Sequence, residues 1–257
     1  DWNTDQYLQF EDLRTRPAYE LLNRVATIDQ PKKVVDLGCG PGNSTELLQA
    51  RFPSAIISGV DSSPKMLDEA KKRLPDVTFS LDDIATWEPV EKVDVIFANA
   101  SLQWVTGHRD LFPRLMERLN TGGILAVQMP DNLSEPTHAL MRETASEGPW
   151  AEKLSEAVKS RETIGSSADY YNWLADQSEV IDIWRTSYEH VLADASAIVD
   201  WVKSTGLRPF LDPLTDQERQ AYLEQYLDKI KQAYRPLKDG RVLLTFPRLF
   251  IVAQGKL

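Results

Sequence analysis

Cysteine is nearly absent from this chain: one residue of 257, Cys39, and only three more are histidines. A disulfide framework is excluded, and too few thiols and imidazoles remain for a structural cage of the Cys/His type. The lone thiol agrees with a reducing compartment. Long apolar runs are missing as well. No stretch approaches the ~20 consecutive apolar residues of a membrane span, and the opening DWNTDQYLQFEDLRTRP lacks a basic-then-apolar leader layout. A cytoplasmic protein is expected, without a membrane partner. Basic charge is the third shortage: 29 Lys plus Arg face 39 Asp plus Glu, for a net charge of -10. Gripping phosphate backbones needs clustered Lys and Arg, so no nucleic-acid partner is expected. The deficit is uneven, because residues 203 to 257 hold 10 basic and 6 acidic side chains, leaving 19 and 33 for residues 1 to 202. Repeats, low-complexity segments and charge blocks are also lacking.

What is present is an apolar share of 42%, enough for a core, and it is patterned. β-branched runs start at Val34 (VVDL), Ala55 (AIISGV), Val77 (VTFSL), Val93 (VDVIFA) and Ile124 (ILAVQM). Between them Leu47 and Leu48, Met66 and Ala70, and Leu111, Leu115 and Leu119 keep helical spacing. Nearly continuous apolar strands separated by amphipathic helices predict a parallel sheet covered on both faces. A leading helix is expected over about 11 to 26. After Met129 the pattern changes to helices near 135–145, 149–159 and 168–174, then a strand-like VIDIWRTSYEHVL. Helices near 195–204 and 215–234 precede a last strand, VLLTFPRLFIVAQ. The expectation is an α/β, Rossmann-like, doubly wound and mostly parallel seven-stranded sheet, with helical insertions over the carboxyl ends of its strands.

The sharpest motif is VVDLGCGPGNST, running out of the first strand into a helix. Gly38, Gly40 and Gly42 let bare backbone approach a ligand, and Asn43 and Ser44 are suited to cap the helix. A dinucleotide fingerprint would carry its third glycine at position 43, where this chain has Asn43. Asp36 sits inside the turn, where a carboxylate repels pyrophosphate and attracts an amine. Asp61 ends the second strand, at the distance where ribose hydroxyls are held, and Asp83 with Ile84 ends the third. Three acids at three successive strand ends ask for a ligand with a cationic amino acid end, a ribose and an adenine. A glycine turn that merely links strand to helix explains the loop but not the acids, and NAD fits the glycine spacing poorly.

This pattern resembles the class I S-adenosylmethionine-dependent methyltransferases, whose first motif is an acid followed by x-G-x-G-x-G. The resemblance implies that Gly38, Cys39, Gly40 and Asn43 border the methionine part of S-adenosylmethionine, with Asp36 beside them. It further implies that Asp61 holds the ribose, with Ser62 and Met66 beside it, that Asp83 and Ile84 face adenine, and that Asn99, Ala100 and Ser101 flank the sulfonium. Tyr7 and Arg14 belong to a segment that folds over the cofactor in such enzymes, and Trp104 is expected to wall the transfer site. No metal is implied.

The residues after the fourth strand narrow the acceptor. Base-methylating enzymes carry Asn or Asp, then Pro-Pro and an aromatic, whereas this chain has NASLQW. The only thiol is locked in the glycine loop, so a cytosine-type Cys nucleophile is missing. Carboxylates spaced for a catechol-type metal do not stand out. A small oxygen or nitrogen acceptor remains. GPGNSTELL, NASLQWV, LAVQMPDN, EPTHALM, VDIWRT, TGLRPFL and FPRLFIVA, in this order, are similar to the trans-aconitate 2-methyltransferase family over nearly the whole length.

That resemblance implies a single methyltransferase domain, 1–257. Residues 1–30 form an N-terminal lid or helix, 31–130 the cofactor core, 131–178 and 190–240 the acceptor-side insertions, and 241–257 the final strand. It also implies transfer to one carboxylate of a small polycarboxylate, giving a monomethyl ester and S-adenosylhomocysteine. A carboxylate with pKa ~4 is already the nucleophile at neutral pH. No catalytic acid or base is expected, only alignment. Burial of the non-reacting carboxylates calls for cationic and hydrogen-bonding partners, and the candidates are Arg16, Gln103, His138, Tyr171, Arg208 and Arg248. The residues leave open another small carboxylate or natural-product acceptor, a non-catalytic cofactor-binding protein, a nicotinamide oxidoreductase, and the oligomeric state.

Overall fold

The computed structural model describes residues 11–25, 30–159, 161–203 and 205–257, with the side chains of 11–14 excepted. Its strands are β1 (Lys33–Leu37), β2 (Ile56–Asp61), β3 (Thr78–Leu81), β4 (Val93–Asn99), β5 (Leu119–Pro130), β6 (Ser178–Leu192) and β7 (Val242–Gly255). They form one sheet in the order β3-β2-β1-β4-β5-β7-β6. The pairs among β1 to β5 are parallel, while β7 runs antiparallel to both β5 and β6. The strand order reverses between β1 and β4, so ligands are expected outside the carboxyl ends of the strands at that point. The mostly parallel seven-stranded expectation holds.

Helices α1 (Glu11–Arg24), α2 (Asn43–Arg51), α3 (Pro64–Arg73) and α4 (His108–Glu117) accompany the parallel strands. The alternation of side chains along each strand divides the core between the two faces. Val34, Val95, Phe97, Ile124 and Ala126 are buried on one face with Leu21, Leu22 and Val25 of the α1 region and Leu48 of α2. Val35, Ile96, Ala98, Leu125 and Val127 are buried on the other with Leu111, Phe112 and Leu115 of α4. Pro17 sits inside α1, so the helix continues through the Arg16-Pro17 step instead of ending there.

The later helices are α5 (Pro136–Glu147), α6 (Ser155–Lys159), α7 (Ser167–Leu174), α8 (Ala195–Lys203), α9 (Arg208–Leu211) and α10 (Asp216–Ala233). All but α7 share a third core in which Trp201, Tyr222, Tyr226 and Leu207 pack with Leu192, Leu244 and Phe246 from β6 and β7, whereas Tyr170 and Leu174 of α7 are buried with α4 against the sheet. The helix expected over 149–159 is only α6, because Gly148 to Lys153 turn around the buried Trp150, whose Nε1 donates to Thr144 O at 2.9 Å. Among the described residues no helix is long and apolar enough to cross a membrane.

Candidate active site

Two adjoining cavities lie at the carboxyl ends of β1, β2, β4 and β5, one of about 400 Å³ and one of about 90 Å³. Asn99, Ala100 and Trp104 line both.

The larger cavity is built on the glycine loop. Gly38 and Cys39 donate their backbone N–H groups to Val60 O at 2.8 and 2.9 Å, tying the loop to β2. Gly38 has φ +81°, and a Cβ there would overlap the Ser101 side chain. That side chain donates to Leu37 O at 2.7 Å, so loop and β4 close on each other beneath the cavity. Gly40, with φ +53°, has open space where its Cβ would be. Asp61 accepts from Gly40 N–H at 2.9 Å and from Ser63 N–H at 2.8 Å, so its carboxylate is fixed before any ligand arrives. Asp83, which accepts from Ala85 N–H at 2.9 Å, and Ile84 close the far end. Cys39, Asn43, Ser62, Met66 and Ser101 complete the expected lining. Thr15 and Ala18 of α1 also border it, a contribution the sequence pattern did not single out.

Two expectations need correction here. Neither Asn43 nor Ser44 caps α2: its N-cap is Gly42 in the left-handed region, without a side-chain cap, and Asn43 is its first residue. Ser44 Oγ and Thr45 Oγ1 instead donate to Asp36 Oδ2 at 2.7 and 2.6 Å. Asp36 is fully buried behind the loop and does not line the cavity. Burial raises its pKa to about 6 against the opposing pull of the Thr45 and Ser44 hydroxyls. Its other oxygen, Oδ1, is buried without a hydrogen bond among the described residues. Asp36 can therefore act on a ligand only through the field of its charge or across the loop. Tyr7 and the Arg14 side chain lie outside the described residues.

The chain leaves β4 through a strained step. Ala100 has φ +54°, a conformation costing a β-carbon residue ~1–2 kcal/mol. Its N–H donates to Gln128 O at 2.8 Å and its carbonyl accepts from Gln103 Nε2 at 2.6 Å, holding it in place. The kink leads into a 3-10 turn, Leu102–Trp104, which delivers Gln103 and Trp104 to the smaller cavity. Strain of this kind collects at functional sites.

Arg248 reaches the smaller cavity by strand register. It pairs with Pro130 at the end of β5 and is therefore carried to the same edge of the sheet as Asn99. It is buried, its Nη1 donates to Gln128 Oε1 at 3.1 Å, and its Cζ lies 4.8 Å from the Phe246 ring centroid. His138 is buried in the first turn of α5, with Nδ1 3.1 Å from Thr137 Oγ1. Burial, reinforced by Arg161 and Arg142, lowers its pKa to about 3, so the imidazole is neutral. With the proton on Nε2, Thr137 donates to Nδ1 and an N–H remains for a ligand. Gly206 approaches this ring so closely that a Cβ would lie 2.9 Å from Nε2.

Three acceptor candidates are placed elsewhere. Arg208 forms an ion pair with Asp212 at 3.5 Å on α9 and does not line the cavity. Tyr171 is exposed, because successive residues of α7 point in different directions and Tyr170 takes the buried position. Arg16 is exposed and stacks over the Tyr188 ring at 5.0 Å. The position missed from the sequence is Arg161, which lines the smaller cavity from the segment between α6 and α7. No motif marks it; only the tertiary fold carries it beside Trp104. Asn132, in the MPDN turn, lines the same cavity.

The linings divide by charge. Among the described residues the larger cavity presents Asp61 and Asp83 and no Lys, Arg or His. The smaller presents Arg161, Arg248 and neutral His138 and no Asp or Glu. No group of three or more His, Cys, Asp or Glu among the described residues could hold a metal ion. The arrangement accommodates a cationic, hydroxyl-bearing ligand beside a small anionic one.

A family model described as a methyltransferase domain matches residues 34–123. The chain is 54% identical to the trans-aconitate 2-methyltransferase of Methylobacterium radiotolerans, over 99% of this chain and 98% of that one. It is 53% identical to the enzyme of the same name from Yersinia pestis, over 100% and 99%. Among solved structures, phosphoethanolamine N-methyltransferase 2 of Haemonchus contortus, bound to S-adenosylhomocysteine, superposes with a TM-score of 0.58 at 16% identity, over 94% of this chain and 53% of that one. The YcgJ protein of Bacillus subtilis gives 0.60 at 14% identity, over 94% and 99%. Those two likenesses bear on the fold alone. Identity above one half across the full length of both partners shows that the chain belongs to the trans-aconitate 2-methyltransferase family.

Proposed function

We infer that this protein is an S-adenosylmethionine-dependent carboxyl O-methyltransferase that converts trans-aconitate to its monomethyl ester. One observation carries the reading: an acid-lined cavity and a cation-lined cavity meet at Asn99, Ala100 and Trp104. S-adenosylmethionine fits the first. Gly38 and Gly40 leave bare backbone, Asp61 offers fixed carboxylate oxygens to ribose hydroxyls, and Asn99 Oδ1 is buried without a hydrogen bond among the described residues. When bound, S-adenosylmethionine supplies a methyl group on a positively charged sulfur, which leaves as the neutral thioether of S-adenosylhomocysteine.

The chain's own residues have little proton chemistry to perform. The acceptor carboxylate is ionised at neutral pH and its oxygen donates the electron pair of the new O–C bond. His138, with its pKa lowered to about 3, is a poor base, and with its proton on Nε2 it offers the acceptor a hydrogen bond. Arg248 and Arg161 supply positive charge to carboxylates that do not react. Left uncompensated, burial of those carboxylates would be prohibitive. Trp104, at the junction, walls the reacting groups from water and restricts their approach.

The test is incubation with methyl-labelled S-adenosylmethionine and trans-aconitate, cis-aconitate, citrate or an uncharged acceptor. Label entering a base-labile ester of trans-aconitate is the expected result. Transfer only to an uncharged acceptor would contradict the substrate assignment while leaving the methyltransferase class intact.

A further inference from the structure

We infer that Arg161 is the residue that makes the acceptor cavity specific for a polyanion, by holding a carboxylate that does not react. The inference rests on the methyltransferase reading above and extends it to a position no motif in the sequence marks. Arg161 lines the acceptor cavity and the small recess behind it, and no Asp or Glu lines either among the described residues. Its guanidinium makes no hydrogen bond or ion pair among the described residues, and its Nε is buried. A desolvated cation without a counterion is costly, so the side chain is held in place by other forces. Its Cζ lies 5.0 Å from the Trp104 ring centroid. Stacking on an indole face stabilises the cation while leaving the in-plane N–H fork available to a carboxylate.

The surroundings sharpen the preference. Arg142, whose Nη2 donates to Leu133 O at 2.7 Å, lies close enough to add a second positive charge. Burial, and then that neighbour, lower the Arg161 pKa to about 10. It stays charged at neutral pH, in a setting that favours a ligand anion. Arg248 differs because Gln128 and the Phe246 ring already position it. Arg208 has Asp212. Arg161 is thus the cation whose counterion is to come from the acceptor.

The experiment compares wild type, Arg161→Gln and Arg161→Lys on trans-aconitate and on a dicarboxylate analogue lacking one carboxylate. Melting temperature and S-adenosylhomocysteine affinity are measured alongside. Arg161→Gln should lower kcat/KM for the tricarboxylate about a hundredfold, through KM, as removal of one partner of a buried charge pair does. The dicarboxylate should lose much less, and cofactor affinity should stay within about twofold. Arg161→Lys, which keeps the charge but not the fork, should recover part of the loss. An equal loss for both acceptors, or a parallel loss of cofactor affinity, would overturn the assignment in favour of a purely structural role. If wild type methylates no tricarboxylate, the functional reading fails, and calorimetry with citrate on the S-adenosylhomocysteine complex decides the assignment separately. Citrate binding to wild type but not to Arg161→Gln supports it; equal binding, or none, overturns it.

Discussion

At the residue scale, small placements decide the site. Gly206 is confined by the His138 ring, so Gly206→Ala must push that imidazole aside. The expected outcome is a KM for the acceptor raised about ten- to hundredfold with S-adenosylhomocysteine affinity unchanged, measured by steady-state kinetics and calorimetry. Asp36 gives a pH signature. Its folded pKa of about 6 lies above the ordinary value of 3.8, so its contribution to stability is fully present below the unfolded value and is lost as pH rises through 6. The ionised form attracts a cationic ligand behind the loop. S-adenosylmethionine should therefore raise the melting temperature more at pH 7.5 than at pH 5.5, and Asp36→Asn should flatten the difference.

Residue by residue, the lining of the larger cavity was legible apart from Asp36, because the glycine loop, Asp61 and Asp83 sit at positions set by local sequence. The acceptor side was not. Tyr171 and Tyr170 are neighbours on one helix and point apart, which a pair of adjacent aromatics does not reveal. Arg208 lies in a distinctive segment, yet its partner is the i+4 acid Asp212, while Arg161 lies in an undistinguished one and reaches the cavity.

At the scale of elements, α1 is tied to β6 by the Arg24–Asp182 ion pair and by the carboxylate of Glu20. Glu20 accepts from Trp184 Nε1 at 3.1 Å, Thr186 Oγ1 at 2.7 Å and Tyr188 Oη at 2.5 Å, three residues alternating along one face of β6. Burial raises its pKa, but the three hydrogen bonds and the nearby charge of Arg16 together outweigh burial and the net shift is downward. The contribution is present above the unfolded pKa and fades as pH falls through the folded one. The same helix brings Thr15 and Ala18 to the cofactor cavity. Glu20→Ala should cost about 1–2 kcal/mol, discounted for partial exposure, seen as a melting temperature lower by a few degrees. Cofactor affinity should fall with it; unchanged affinity would show that α1 does not depend on this anchor. Element type was legible from periodicity almost throughout. Two exceptions stand: the short α9 was not expected, and α6 is shorter than its pattern suggested because a buried Trp150 requires a turn there, and burial partners are not visible in spacing.

At the scale of the whole molecule, charge is divided in space but not as it is divided along the chain. The basic segment 203–257 contributes Arg248 to the acceptor cavity, yet its Arg208 stays outside. Arg161 comes from the segment that is acidic overall. The fold assembles a cationic pocket from distant positions and sets it against the acidic one at the end of β4. The functional reading stands on this division, and a crystal structure with S-adenosylhomocysteine and trans-aconitate bound together is its sharpest test. The expected outcome is S-adenosylhomocysteine in the cavity of Asp61 and Asp83, with one acceptor carboxylate beside its sulfur at Asn99 and Ala100 and the others on Arg161 and Arg248. An acceptor bound with no carboxylate on either arginine would contradict that division of labour.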